Sequence, residues 1–229
     1  MFLVKHSTRY AENLNEIGHK VRLLADQVGA QKLAAEVLDR LERFATTLAL
    51  WGEKTNLTAH PHDPAEIAFH ICESLMPLVL DADSGLRDSF VEGRRVVDIG
   101  TGAGFPGLML AAATRAEFTL VEPRRKRAGF LDAAALAMRL ANVRVANCRA
   151  SEVEEAAFDV ATARAVKFDE ELLQSTARAL RTGGELMVYA SAEQVFLPGV
   201  DFDRPRRISY RLRHGDRAVS RVLIVAPRR

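Results

Sequence analysis

One segment constrains this chain more than any other: Val96-Val97-Asp98-Ile99-Gly100-Thr101-Gly102-Ala103-Gly104-Phe105-Pro106-Gly107, an apolar run passing through a glycine loop into a helical pattern. Glycine lets the backbone approach a ligand closely and take positive φ. By itself the loop leaves three readings open: a cradle for a nucleoside ligand, a dinucleotide pyrophosphate site at a helix N-terminus, or a tight turn with no ligand. All three need a parallel sheet around the strand. After Gly93, β-rich runs at Arg95–Ile99, Phe118–Val121, Val143–Asn147, Phe158–Ala163 and Glu185–Tyr189 alternate with helical patterns at Gly107–Thr114, Lys126–Leu140 and Glu170–Leu180. Such alternation predicts right-handed crossovers and a parallel sheet covered on both faces. Arg206–Arg213 and Val219–Ala226, flanking Gly215-Asp216, read as an antiparallel hairpin.

The first ninety or so residues read differently. Leu33, Val37, Leu41, Phe44, Leu48 and Trp51 recur at three- and four-residue steps and mark one side of an amphipathic helix, with Trp51 as a core anchor. Asn13 to Val28 has a weaker helical pattern ended by Gly29, and Asn56 to Leu80 reads as a turn through Pro61 and Pro64 followed by a short helix. The expected organisation is a helical cap over 1–92 and a sheet domain over 93–229. With 229 residues, 48% of them hydrophobic and 27% charged, there is apolar material enough for one sizeable core plus a small appendage. No apolar run is long enough to cross a bilayer and no leader pattern is seen, so the expected protein is cytoplasmic, free of membrane and monomeric. Cys72 and Cys148 lack ligand spacing and read as buried reduced thiols. His60, His62 and His70 follow no metal-ligand pattern, so packing or exposure is expected of them and no metal.

Asp98 separates the readings of the loop. An acid just before it repels a pyrophosphate but suits a ligand with a positively charged amino-acid end, such as S-adenosylmethionine. It can act directly or by holding loop N–H groups. Glu122 ends the next strand about twenty residues on, where a carboxylate can accept from both ribose hydroxyls. The expected fold is therefore the Rossmann-like class I methyltransferase architecture, a doubly wound, mainly parallel α/β sheet with a C-terminal antiparallel hairpin and an N-terminal helical cap. Arg149-Ala150-Ser151-Glu152 follows the third strand, where the adenine would lie; a capping box from Ser151 to Glu154 is the equally weighted alternative.

The fourth strand bears on the chemistry. Phe158 to Ala165 carries no Asp/Asn-Pro-Pro-aromatic turn for an exocyclic amine and no Pro-Cys or Thr-Cys nucleophile for pyrimidine C5. Arg164 donates hydrogen bonds and cannot serve as a base, so the acceptor must be nucleophilic without first losing a proton. The N7 of guanine is such an atom, and catalysis would rest on alignment and desolvation. A structural ion pair with a carboxylate is the other reading of Arg164. The net charge is only +2, but arginines cluster at Arg124-Arg125-Lys126-Arg127 and across Arg204 to Arg217, which suits a phosphate-bearing partner or a plain solvated face.

These residues resemble a known family, the bacterial small-subunit ribosomal RNA guanine-N7 methyltransferases (RsmG, or glucose-inhibited division protein B), over about Leu33 to Val225. Trp51 to Thr58 looks like its helix-ending motif and Phe69-His70-Ile71-Cys72-Glu73-Ser74-Leu75 like its next helix. Asp98 to Gly107, with the family-specific Pro106, looks like its cofactor loop, and Lys126-Arg127, Phe130-Leu131, Asn142-Val143 and Arg164-Ala165 fall in register. The resemblance implies that Gly100, Phe105, Ala150, Ser151 and Arg164 contact S-adenosylmethionine. It also implies that a guanine of small-subunit (16S) RNA, exposed from its stack, accepts the methyl group. The expected cofactor set is Asp98, Gly100, Gly102, Gly104, Phe105, Glu122, Ala150, Ser151 and Arg164, with Arg164 also catalytic; Arg124, Arg125, Lys126 and Arg127 are expected on ribosomal RNA or the small subunit. The chain departs from the family at Glu122-Pro123 for Asp-Ser, Glu73 for aspartate, Ser151 for glutamate, and Ser191-Ala192 for Lys-Gly. Those departures keep two alternatives in play: the same fold acting on another RNA, a small molecule or a protein, and a non-catalytic RNA- or ribosome-binding module.

Overall fold

A computed structural model describes residues 12–13, 15–23, 33–52, 54–80, 85–167, 169–194, 199 and 201–229. Residues 15–23 are helical, while Leu24 to Val28 and the expected break at Gly29 lie outside the described residues. Then follow α1 (Ala35–Gly52), α2 (Pro64–Ser74), the single-turn α3 (Met76–Val79) and a 3-10 turn at Leu86–Phe90. The alternating part comprises β1 (Arg95–Ile99), α4 (Gly107–Ala113), β2 (Glu117–Val121), α5 (Arg125–Ala137), β3 (Val143–Ala146), β4 (Phe158–Arg164), α6 (Glu170–Ala179) and β5 (Leu180–Ser191). The hairpin β6 (Arg206–His214) and β7 (Arg217–Pro227) closes the chain.

The strands form one sheet in the order β3-β2-β1-β4-β5-β7-β6. Ladders among β1 to β5 are parallel, and β7 runs antiparallel to both β5 and β6. His214 pairs with Arg217, so Gly215-Asp216 is the hairpin turn as expected. The strand order reverses between β1 and β4, and a crevice opens at the carboxyl ends of the strands at such a point. The largest departure from the expected elements is β5, which starts at Leu180 rather than Glu185: Leu180 already pairs with Phe158, and an irregular register between Phe158 and Val160 absorbs the additional residues.

Two apolar layers cover the sheet. On one face Leu38, Leu41, Phe44, Ala45 and Leu48 of α1, spaced for one helical side, join Ile67 and Ile71 of α2 and the buried residues of α4 and α5. The cap therefore shares a core with the sheet. On the other face Ala177, Ala179 and Phe202 pack over Val97, Ala161, Leu186 and Ile224. Trp51 is half-buried, its ring 6.0 Å from that of Phe130 and edge-on to it. Asp63 caps α2 by accepting the Ala65 N–H at 2.8 Å, and Pro64 takes the first helical position, where no N–H is needed. The expected Ser151 to Glu154 capping box is displaced: the Glu152 carboxylate accepts the Arg149 N–H at 2.7 Å across the 3-10 turn Ala150–Glu152, because Glu152 is the acid three residues past the cap. Cys72 is a buried free thiol as expected, whereas Cys148 is only half-buried.

Candidate functional site

The glycine loop is fastened from beneath and from one side. Asp98 is wholly buried, its Oδ2 accepting the Gly107 N–H at 3.0 Å and its Oδ1 the Thr162 hydroxyl at 2.7 Å. Burial pushes its carboxyl pKa up, and the Thr101 and Thr162 hydroxyls and the Gly107 N–H pull it back. Of the two roles open to this acid, the structure displays the one that holds the loop. Glu122, 3% exposed, accepts from the Gly102 N–H at 3.2 Å and from the Arg124 N–H at 2.9 Å. Two glycines are dictated by this packing. A Cβ at Gly107 would lie 2.4 Å from Leu120 Cδ2 and 2.6 Å from Asp98 Oδ2, and Gly100 has φ +66° with Val166 Cγ1 2.8 Å from where a Cβ would stand.

Above the loop lies a cavity of about 540 Å³, lined on one side by Gly100, Thr101, Gly102, Ala103 and Phe105. Its opposite wall comes from distant parts of the chain: Glu66, Phe69, His70 and Glu73 of α2, Arg164 at the end of β4, and Arg221 of β7. Ala165, at φ +56°, turns the chain sharply after Arg164 and leaves that side chain at the strand's carboxyl edge. The Arg164 guanidinium donates to Glu73 Oε2 at 2.9 Å and lies 4.9 Å from the centre of the Phe105 ring. The ion pair is thus real, and the residue still lines the cavity.

His70 of the opposite wall meets the loop, its ring 5.2 Å from that of Phe105 and its Nε2 3.2 Å from Glu66 Oε1. Burial, then the charges of Arg164, His214 and Arg221, lowers its pKa to about 3, so the ring is neutral at physiological pH. His60 and His62 are exposed. Among the described residues no group of three or more His, Cys, Asp or Glu side chains is arranged to hold a metal ion.

The expected site residues divide into three groups. Gly100, Gly102, Phe105 and Arg164 line the cavity, and so does Arg127, whose guanidinium donates to the Asn56 carbonyl at 2.8 Å. Asp98, Glu122, Gly104, Ala150 and Ser151 do not line it, although Glu122 is tied to it through Gly102 and Asp98 is buried beneath the loop. Arg124, Arg125 and Lys126 are exposed at the start of α5. Sequence reasoning missed Glu66, Arg221 and the cavity role of Glu73. A signal existed: Glu73 is an acid between buried Cys72 and Ser74 on the same side of α2 as Glu66, and Arg221 directly precedes the buried apolar run Val222–Ala226 of β7.

The cavity fits a nucleoside with an amino-acid tail: its floor is loop backbone with no side chain bulkier than Thr101 between Gly100 and Ala103, the Gly100 cradle leaves no room for a Cβ, and a carboxylate stands behind Gly102. A family model described as rRNA small subunit methyltransferase G matches residues 37–195. The ribosomal RNA small subunit methyltransferase G of Xanthomonas campestris pv. campestris is 36% identical over 182 residues, 76% of this chain and 81% of that protein. The protein of the same description from Coxiella burnetii is 30% identical over 175 residues, 76% of this chain and 80% of its own length. Among solved structures, a SAM-dependent methyltransferase from Aquifex aeolicus matches at TM-score 0.50 and 16% identity, over 68% of this chain and 93% of that one. MtNAS in complex with S-adenosylmethionine matches at TM-score 0.56 and 16% identity, over 100% of this chain and 99% of that one. At such identities the structural matches speak for the fold.

Proposed function

The chain belongs to the rRNA small subunit methyltransferase G family, and from that premise we propose that it methylates N7 of a guanine in small-subunit ribosomal RNA. S-adenosylmethionine, when bound, supplies a methyl group on a sulfonium centre. The backbone of Gly100 and Gly102 and the ring of Phe105 receive its amino-acid end and sulfur. The carboxylate oxygens of Glu122 have lone pairs left, beyond those taken by Gly102 and Arg124, for the ribose hydroxyls. Ala150 and Ser151, after β3 and outside the cavity lining, would border the adenine where the ligand extends past Gly102 toward Glu122. Asp98 holds Gly107 and so shapes the loop from beneath.

One observation carries the choice of acceptor: among the described residues, the cavity wall holds no base tuned to neutral pH. Arg164 cannot accept a proton, His70 is pushed down to about 3, Tyr189 is pushed well above its ordinary value by burial, Glu73 is held by two guanidiniums, and Glu66 is engaged by His70 and His214. An acceptor with a ready in-plane lone pair suits such a wall, and guanine N7 has one. What remains for the protein is alignment and exclusion of water, which Phe69, His70 and Phe105 favour by their apolar faces. Arg124, Arg125 and Lys126 flank the cavity mouth through Arg127 and would meet RNA phosphates, with the cap over 1–92 as one wall of the site and 93–229 as its sheet.

Mass mapping of 7-methylguanine in small-subunit RNA, from cells with and without the gene, tests this. One modified guanine should disappear with the gene, and an unchanged map overturns the assignment of substrate.

A further inference from the structure

Glu73 is 5% exposed and both of its carboxylate oxygens are taken: Oε2 by Arg164 at 2.9 Å and Oε1 by Arg221 at 2.8 Å. The three residues come from α2, β4 and β7, and all three line the cavity. Each guanidinium also lies over a ring, Arg164 at 4.9 Å from the centre of Phe105 and Arg221 at 5.5 Å from that of Phe69. Phe105 belongs to the glycine loop, so Arg164 borders the cofactor side. Arg221 stands opposite Ser191 in the β5–β7 ladder, and both line the cavity.

We propose that Glu73 is a positioning residue for methyl transfer, its single carboxylate setting the orientation of Arg164 on the cofactor side and of Arg221 on the acceptor side; the acceptor part of this rests on the function proposed above. Three physical points support it. A buried ion pair adds little net stability over a well-packed apolar alternative, so stability alone is a poor reason for a carboxylate buried this deeply on α2. Each guanidinium carries five N–H donors, and Glu73 occupies a minority of them, fixing the planes while leaving donors for other partners. Two like charges in one wall also repel, and the carboxylate between them allows both to face one cavity. The cap thereby contributes a working part of the site from α2, a helix separated from Arg164 by 91 residues and from Arg221 by 148.

The test compares full-length Glu73→Gln, which keeps the shape and loses the charge, with Glu73→Asp, which keeps the charge on a shorter stem. Arg40→Met serves as a control: it removes the Arg40 bond to the Ala112 carbonyl (2.9 Å), a cap-to-core contact outside the cavity. Dissociation constants for S-adenosylmethionine come from calorimetry, kcat and KM from methylation of small-subunit RNA, and Tm from the same preparations. Glu73→Gln should weaken the cofactor about tenfold and lower kcat about thirtyfold, with Asp recovering part of both and Arg40→Met lowering only Tm. Folded Glu73→Gln with the wild-type dissociation constant and kcat overturns the proposal, as does an equal loss in Arg40→Met at matched Tm. If the wild-type enzyme methylates no small-subunit RNA, the proposed substrate fails, and the calorimetric comparison still decides the role of Glu73 toward Arg164.

Discussion

The two walls of the cavity are built on opposite plans. The cofactor wall is nearly continuous in sequence: β1, the glycine loop, α4 and the acid ending β2 all fall between Arg95 and Glu122, and its hydrogen bonds are mostly between carboxylates and nearby backbone N–H groups. The facing wall is assembled from α2, the end of β4 and the C-terminal hairpin, and side chains join it: Glu73 to Arg164 and Arg221, Glu66 to His70 and His214. The first plan yields a rigid cradle whose shape needs few partners. The second yields a wall that exists only when three distant segments are docked, and whose buried charges make its integrity sensitive to pH and to single charge changes.

The sharpest way to break this contrast is to strike the cradle. Gly107→Val would thrust side-chain atoms into Leu120 and Asp98, and such overpacking should cost about 3 kcal/mol and abolish cofactor binding. Urea melts and calorimetry read both effects. Wild-type stability in that variant would mean that the loop has slack which the contacts deny.

An intermediate effect distinguishes the walls by sign. His70 is depressed to about 3 from an ordinary 6.5, so between those values the unfolded chain binds the proton and the folded one does not; stability falls as pH drops through that window. The slope from this group is at most about 1.4 kcal/mol per pH unit. Asp98, raised by burial, acts in the opposite sense: the folded state keeps its proton to higher pH than the unfolded chain, so that contribution improves as pH falls through the carboxylate range. The difference in stability between wild type and His70→Gln, followed by denaturant melts from pH 7 to 4, should shrink toward acid. A constant difference would show that the ring is not held neutral.

The smallest effect on the fold lies at the mouth. Arg125→Ser with Lys126→Ser alters exposed side chains, so stability should move by less than about 0.5 kcal/mol. The slope of log affinity for ribosomal RNA against log salt should nonetheless fall by about 0.7 to 0.9 for each lost phosphate contact. An unchanged slope would place the RNA elsewhere, with the arginines of β6 the next surface to mutate.

Legibility in the sequence follows the same division. The loop, Asp98, Glu122, the parallel strands and the hairpin turn were readable because their signals are local: two-residue and three-to-four-residue periodicity, glycines at a strand end, an acid at the next strand end. The early start of β5 at Leu180 was hidden by Thr182-Gly183-Gly184, which reads as a break between helix and strand but is carried in the strand beside an irregular ladder. His70 was legible as a packing residue, and its place beside the cavity was not. Arg164 was found through its strand position and the family resemblance, whereas its carboxylate partner could not be picked among the acids of the cap.

Sequence alone determined the α/β architecture, the nucleoside cradle and the family, since each rests on residues close together along the chain or on a linear pattern of motifs. Tertiary structure alone decided that the cavity has a second wall, that Glu73 joins two arginines across it, and that His70 is neutral there. The physical reason is that burial and ion pairing depend on which surfaces meet in space, and segments 91 and 148 residues apart acquire a common environment only once the sheet and the cap have closed over them.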